Sequence, residues 1–189
     1  QALAGEIGDG LITGIPRGGT IPQAIKNVQK GAKKSGRSLN SFETFGLVNI
    51  LMLKPKEKLT DESVITQCGS AIMANIHFVV DWVKETGNPP PEYILPFWDE
   101  YIDFHKKRDA ERAHMKLHQS HYSYLDPEEA HFITPDIIKA FTIAGQPDEM
   151  VEQLKNLEKQ GLDAVNFIAP LEQQYRLIED FAYNVISRM

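Results

Sequence analysis

The chain has 189 residues, enough for one sizeable hydrophobic core, and carries 20 Lys and Arg against 26 Asp and Glu, a formal charge of −6. That mild acidity argues against a protein held to nucleic acid by its backbone charge. No segment reads as a secretory signal, and no run approaches the roughly 20 apolar residues of a membrane span. The single cysteine, Cys68, excludes an internal disulfide and is compatible with a reducing, cytoplasmic compartment. It sits in the apolar run from Val64 to Val83, where it reads as a packing thiol rather than a nucleophile, which would need an activating partner.

Residues 2–7 read as the end of a helix, and Gly8-Asp9-Gly10 turns into a short strand, Leu11–Thr13. A glycine-rich loop with one arginine, Arg17, follows; Thr20 caps the next helix, with Pro22 in its first turn. This loop joins the C-terminal end of a strand to a helix N-terminus, the edge at which α/β proteins bind ligands. By position, Thr13 and Gly14 would line a pocket there. The helix to about Ser35 buries Ile21, Ile25, Val28 and Ala32 and turns Lys26, Lys30, Lys33 and Lys34 outward as a solvated face, with Gly36 at its stop. Glu43 to Leu53 reads as a buried strand with little polar alternation, covered on both faces. Asn49 in its middle must find a partner, a structural hydrogen bond being the simpler demand than a ligand contact.

Thr60-Asp61-Glu62 opens a long helix to about Glu85, and Gly87-Asn88-Pro89-Pro90-Pro91 stops the chain in a stiff linker. Phe97 to about Leu117 reads as a second helix, with Trp98, Tyr101 and Phe104 as core aromatics. The stretch from His114 to His131 is mostly loop, and Thr134-Pro135 starts a short helix to Phe141. Pro147-Asp148-Glu149 begins a helix that ends at Gly161; Ala164–Ala169 is a strand; a last helix runs from about Gln173 to Arg188, with Leu177, Ile178, Phe181 and Val185 inward. Without residues 54–144 the order is strand, helix, repeated three times, the rhythm of a parallel sheet. The chain therefore divides into 1–53, an inserted and mostly helical 54–144, and 145–189. The insertion follows a strand, so it emerges on the catalytic face of a barrel.

His114, His118 and His121 are spaced by four and three, with Asp126, Glu128 and Glu129 nearby. Three readings are open: a zinc or iron site, which lacks the H-E-x-x-H pattern of a metalloprotease; a lid in which His121, beside Tyr122, donates a proton; and a polar packing loop. No glycine-rich phosphate loop of the Rossmann or Walker type is present.

Two segments carry a resemblance. Leu3-Ala4-Gly5-Glu6-Ile7-Gly8-Asp9-Gly10-Leu11-Ile12-Thr13, and Phe141-Thr142-Ile143-Ala144-Gly145-Gln146-Pro147-Asp148-Glu149-Met150-Val151 with Gly161-Leu162-Asp163-Ala164-Val165, resemble the luciferase-like monooxygenase family. The resemblance implies the C-terminal part of a (β/α)₈ TIM barrel, about three parallel strands (six, seven and eight) with a helical insertion. It also implies an FMN- or deazaflavin-dependent oxidoreductase moving a hydride between cofactor and a small organic substrate. Arg17, and less directly Arg176, match positions where relatives carry cations for an anionic group; both are otherwise surface arginines. A complete barrel needs about 250 residues and eight strands. The chain starts at Gln1, inside a helix, so the expectation is a piece of a longer enzyme, or a shortened relative that completes itself as an oligomer or with the missing N-terminal barrel part. The rival expectation is a non-catalytic flavin-binding or interaction protein on the same truncated fold.

Overall fold

The computed structural model describes residues 1–14, 20–107, 120–170 and 173–189. Its elements are α1 (Ala2–Ile7), β1 (Gly10–Gly14), α2 (Ile21–Ser35), β2 (Glu43–Met52), α3 (Glu62–Thr86), a 3₁₀ turn (Glu92–Phe97), α4 (Trp98–Lys107), α5 (Pro135–Phe141), β3 (Thr142–Gly145), α6 (Pro147–Lys159), β4 (Ala164–Phe167) and α7 (Gln174–Asn184). All strand pairings among the described residues are parallel. β2 is the hub. Phe45, Gly46 and Leu47 pair with both β1 and β4, which therefore lie on opposite edges of β2. The short β3 joins farther along, Asn49 to Met52 pairing with Thr142 to Gly145. It adds a fourth strand to the three expected.

The local reasons for these elements are visible in the side chains. The Thr20 hydroxyl accepts from Gln23 N at 3.2 Å and caps α2, and Gly36 ends it in the left-handed region with φ 70°. α1 lies so close on α2 that a methyl on Gly5 would meet the Val28 carbonyl, and one on Gly31 the Ala2 carbonyl. Glu149 reaches back to accept from Gln146 N at 2.7 Å, closing the first turn of α6 behind Pro147. Asp163 fixes the start of β4: its carboxylate accepts from Thr44 N at 2.7 Å, and its own N–H donates to the Thr44 carbonyl at 2.9 Å.

Alternation along β2 separates two faces. Val48 and Ile50 turn toward α6 and α7, packing with Met150, Leu154, Leu177 and Phe181. Phe45, Leu47, Asn49 and Leu51 turn the other way. There Leu51, 1 % exposed, packs under the insertion, whose core is α3 with Phe97, Tyr101, Phe132 and α5. The insertion reaches only that C-terminal end. Elsewhere on this face the side chains are partly open: Ile12 of β1 is 64 %, Leu47 in the middle of β2 42 % and Ile168, just past β4, 53 % exposed. The expectation of a strand covered on both faces thus holds for its C-terminal half alone. In a closed barrel these positions face the lumen, which the strands of the opposite wall fill. Ile178, expected inward, is also half exposed and borders an apolar groove of about 410 Å³ between α6, β4 and α7.

α3 comes nearer to a spanning helix than the run of its sequence suggested. It has 25 residues and a mean hydropathy of 1.3 over its most apolar window, but 67 % of that window is buried inside the protein. Val64, Cys68, Ile72, Ile76 and Val79 are nearly inaccessible, and they form the spine of the insertion core.

Candidate functional site

A pocket of about 160 Å³ opens where the strands end. Gly14 closes β1, Leu47, Val48 and Asn49 come from β2, and Ile168 follows β4; Asn75 of α3, Tyr122 and Phe141 complete the wall. The site is therefore built at the C-terminal edge of the parallel sheet and roofed by the insertion. Its polar groups are two carboxamides and a phenol. Asn49 Nδ2 donates to the Phe141 carbonyl at 3.1 Å, and Asn49 Oδ1 accepts from the Tyr122 hydroxyl at 3.3 Å. Asn75 Nδ2 donates to the Ala71 carbonyl one turn back, at 2.6 Å. Leu47, Phe141 and Ile168 supply apolar walls.

A chain of buried polar groups stands beside this pocket. His121 Nε2 and His77 Nδ1 are 2.6 Å apart, with their rings stacked at 4.9 Å and 23°. His77 Nε2 lies 3.0 Å from Glu129 Oε1, which also accepts from the Tyr101 hydroxyl at 3.1 Å. His77 and Glu129 are each 1 % exposed. A carboxylate only accepts, so it fixes His77 Nε2 as a donor. Neutral His77 then accepts at Nδ1 from His121 Nε2–H; protonated, it donates there instead. The contact survives one shared proton, but with both rings protonated it would set two donors against each other. His105, on α4 near this chain, has its pKa held below the ordinary histidine value, first by burial and then by the charge of His77, against opposing pulls from Asp81 and Glu129.

The expected site residues are dispersed. Gly14 lines the pocket. Thr13 pairs with Gly46 and so turns to the opposite, helix-covered face. His121 takes part in the buried chain while Tyr122, its neighbour, reaches the pocket. Arg176 sits in the first turn of α7, exposed, with Nε 3.4 Å from Asp180 Oδ2, beside Gln67 and Met52 rather than at the pocket. Arg17, His114 and His118 lie outside the described residues. Among the described residues no group of three or more His, Cys, Asp or Glu is placed to hold a metal ion. Tyr101 is fully buried in the insertion core, edge-on to Phe132 with ring centroids 4.9 Å apart, and Phe104 packs on the same ring. Sequence reasoning missed Asn75, His77 and the buried role of Glu129. The two residues on α3 show no signal beyond polarity within an apolar helix.

A larger cleft, about 1070 Å³, runs along α6, but it is open and mixes Lys139, Lys155, Lys159 and Arg188 with Asp148, Glu149 and Glu152. Arg188 and Asp148 already pair at 2.7 Å. Such self-compensated, solvated charges make a weaker ligand site than the converging strand ends.

Comparison with known proteins agrees with this architecture. The chain is 24 % identical over 171 residues to 5,10-methylenetetrahydromethanopterin reductase of Archaeoglobus fulgidus, covering 89 % of this chain and 45 % of that protein. It is 25 % identical over 168 residues to the reductase of the same name from Methanopyrus kandleri, covering 89 % and 41 %. The solved structure of the coenzyme F420-dependent tetrahydromethanopterin reductase from Methanopyrus kandleri shares the fold with a TM-score of 0.55 at 22 % identity, over 99 % of this chain and 47 % of that one. The chain thus spans less than half the length of these relatives, as part of a barrel does. The family model described as luciferase-like monooxygenase matches residues 1–164, and the chain belongs to that family.

Proposed function

We propose that this chain forms part of a deazaflavin-dependent oxidoreductase, and that the pocket at the ends of β1, β2 and β4 holds one edge of the cofactor ring. The observation that carries this reading is the set of groups converging there: Gly14, the Asn49 and Asn75 carboxamides and the Tyr122 hydroxyl between apolar walls. A carboxamide offers both a donor and an acceptor, matching the alternating carbonyl and N–H groups on the pyrimidine side of a deazaflavin. The pocket's volume is below the roughly 300 Å³ of a drug-sized ligand site, so it suits an edge of the ring rather than the whole. The deazaflavin is chosen over FMN because the solved relative is F420-dependent. Bound there in its reduced form, a deazaflavin supplies a hydride to a small organic substrate. The chain's own part is to orient the ring by hydrogen bonds from Asn49, Asn75 and Tyr122 and to exclude water with Leu47, Phe141 and Ile168. Arg17, three residues beyond Gly14, is our proposed contact for an anionic group of cofactor or substrate. The opposite wall of the barrel, covering Ile12, Leu47 and Ile168, is proposed to come from an N-terminal barrel part or a second copy.

The test is titration of coenzyme F420 followed by its fluorescence, for the wild type and for Asn75→Leu. Replacing a carboxamide by an isobutyl group of similar size removes one hydrogen bond, so the dissociation constant should rise roughly ten-fold. Binding that Asn75→Leu leaves unchanged, or no binding by the wild type, would refute this placement. Binding without turnover of any reducible substrate would favour the non-catalytic reading.

A further inference from the structure

We infer that Glu129 and His77 are positioning residues that act through His121 to hold Tyr122 against the pocket, and that the Tyr122 hydroxyl contacts the ligand; the second half rests on the reading of the pocket given above.

Tyr122 has φ 54°, in the left-handed region that a bulky residue adopts only when its surroundings compel it. The compulsion is visible on both sides of it. Upstream, His121 is held by the 2.6 Å contact to His77, itself fixed to Glu129 at 3.0 Å. Downstream, Leu125 drops into a notch at Gly69 of α3, where a Cβ would stand 2.6 Å from its Cδ2. Between them the turn is closed by Ser123 N and Tyr124 N donating to the Ser120 carbonyl at 3.0 and 3.3 Å. The two anchors share α3, the helix that also brings Asn75 to the pocket. A buried carboxylate–histidine pair adds little net stability, because desolvation offsets attraction. What this pair supplies is one orientation for His121, and through the backbone one placement for the next side chain. The Tyr122 hydroxyl then meets Asn49 Oδ1 at 3.3 Å, at the long end of hydrogen-bond range. A ligand carbonyl entering the pocket can compete for that proton.

The experiment uses protein labelled with 3-fluorotyrosine. The fluorine resonance of residue 122 is assigned from its loss in Tyr122→Phe. In Glu129→Gln, which keeps the shape of the side chain, and in His121→Gln, the 122 resonance should shift or broaden. Those of Tyr175 and Tyr183, 78 % and 80 % exposed on α7, should stay in place, and the circular dichroism should match the wild type. An unmoved 122 resonance in both variants overturns the linkage. His121→Gln sits at a half-buried position and carries the test should Glu129→Gln unfold. Coenzyme F420 titrated into the same proteins should bind about five-fold more weakly to Tyr122→Phe and to Glu129→Gln, the loss of one ordinary hydrogen bond. Equal affinities overturn the ligand contact. No binding even by the wild type overturns the cofactor reading, and the fluorine resonance still decides the linkage.

Discussion

Gly69→Ala sets two effects of known size against each other at the helix that carries the site. In the interior of α3, alanine is favoured over glycine by about 1 kcal/mol. The new methyl would stand 2.6, 2.9 and 3.0 Å from Cδ2, Cδ1 and Cγ of Leu125. The two terminal methyls can rotate away, but Cγ moves only with the backbone or with a change of χ1. Leu125 is packed on the insertion core, and overfilling such a contact costs about 1–3 kcal/mol. The strain therefore exceeds the propensity gain, and a net loss of about 1 kcal/mol is expected. For a chain of this size that lowers Tm by about 3 °C. The cause is separable from other effects by a double-mutant cycle. Leu125→Ala alone destabilises by removing packing, but in the presence of Gly69→Ala it also relieves the clash, so the two changes should couple favourably by the relieved strain, about 2 kcal/mol. Thermal and urea melts of the four proteins decide it. A Tm raised by about 3 °C in Gly69→Ala, with additive behaviour in the double mutant, would show that Leu125 does not occupy the notch.

Two pH-linked outcomes follow. Burial pushes the Cys68 thiol from its ordinary 9.0 up to about 12. The native protein should therefore resist iodoacetamide at pH 8 and react once unfolded. Between those two values the unfolded chain releases the thiol proton and the folded chain keeps it. Stability should fall with rising pH by up to about 1.4 kcal/mol per pH unit more than in Cys68→Ala, and identical slopes would contradict the burial. His105 works at the other end. Its folded pKa is lowered from 6.5, so on acidification through that value the unfolded chain takes up the proton first and stability is lost. The groups around it are His77, Asp81 and Glu129. His105→Asn should flatten that acid limb in urea melts, and an unchanged limb would assign it to other groups.

Much of the scaffold was legible because it is set by local chemistry. Thr20, Pro22 and Gly36 bracket α2 with a cap, a first-turn proline and a left-handed stop, and each acts within a few residues. Asn49 in an apolar strand demands a partner, and it finds two, the Phe141 carbonyl and the Tyr122 hydroxyl. What was not legible depends on contacts distant in sequence. Thr142–Gly145 is too short for a strand pattern and becomes one by pairing with Asn49–Met52. His77 and Glu129 are 52 residues apart; neither position differs by type from a surface histidine or a loop carboxylate. Nearness to the strand end points to both Thr13 and Gly14, but period-two alternation sends the Thr13 side chain to the other face and leaves Gly14 at the wall. The open face at Ile12, Leu47 and Ile168 has a similar origin: the residues are as apolar as a core requires, yet they stay 64 %, 42 % and 53 % exposed on the face that a closed barrel turns to its lumen.

The proposed place of the cofactor ring edge is among Gly14, Asn49, Asn75 and Tyr122. Crystals soaked in coenzyme F420 test it most directly. Planar density should lie against the Asn49 and Asn75 carboxamides, under the Tyr122 hydroxyl. Planar density in the charged cleft along α6, with the strand-end pocket empty, would contradict it.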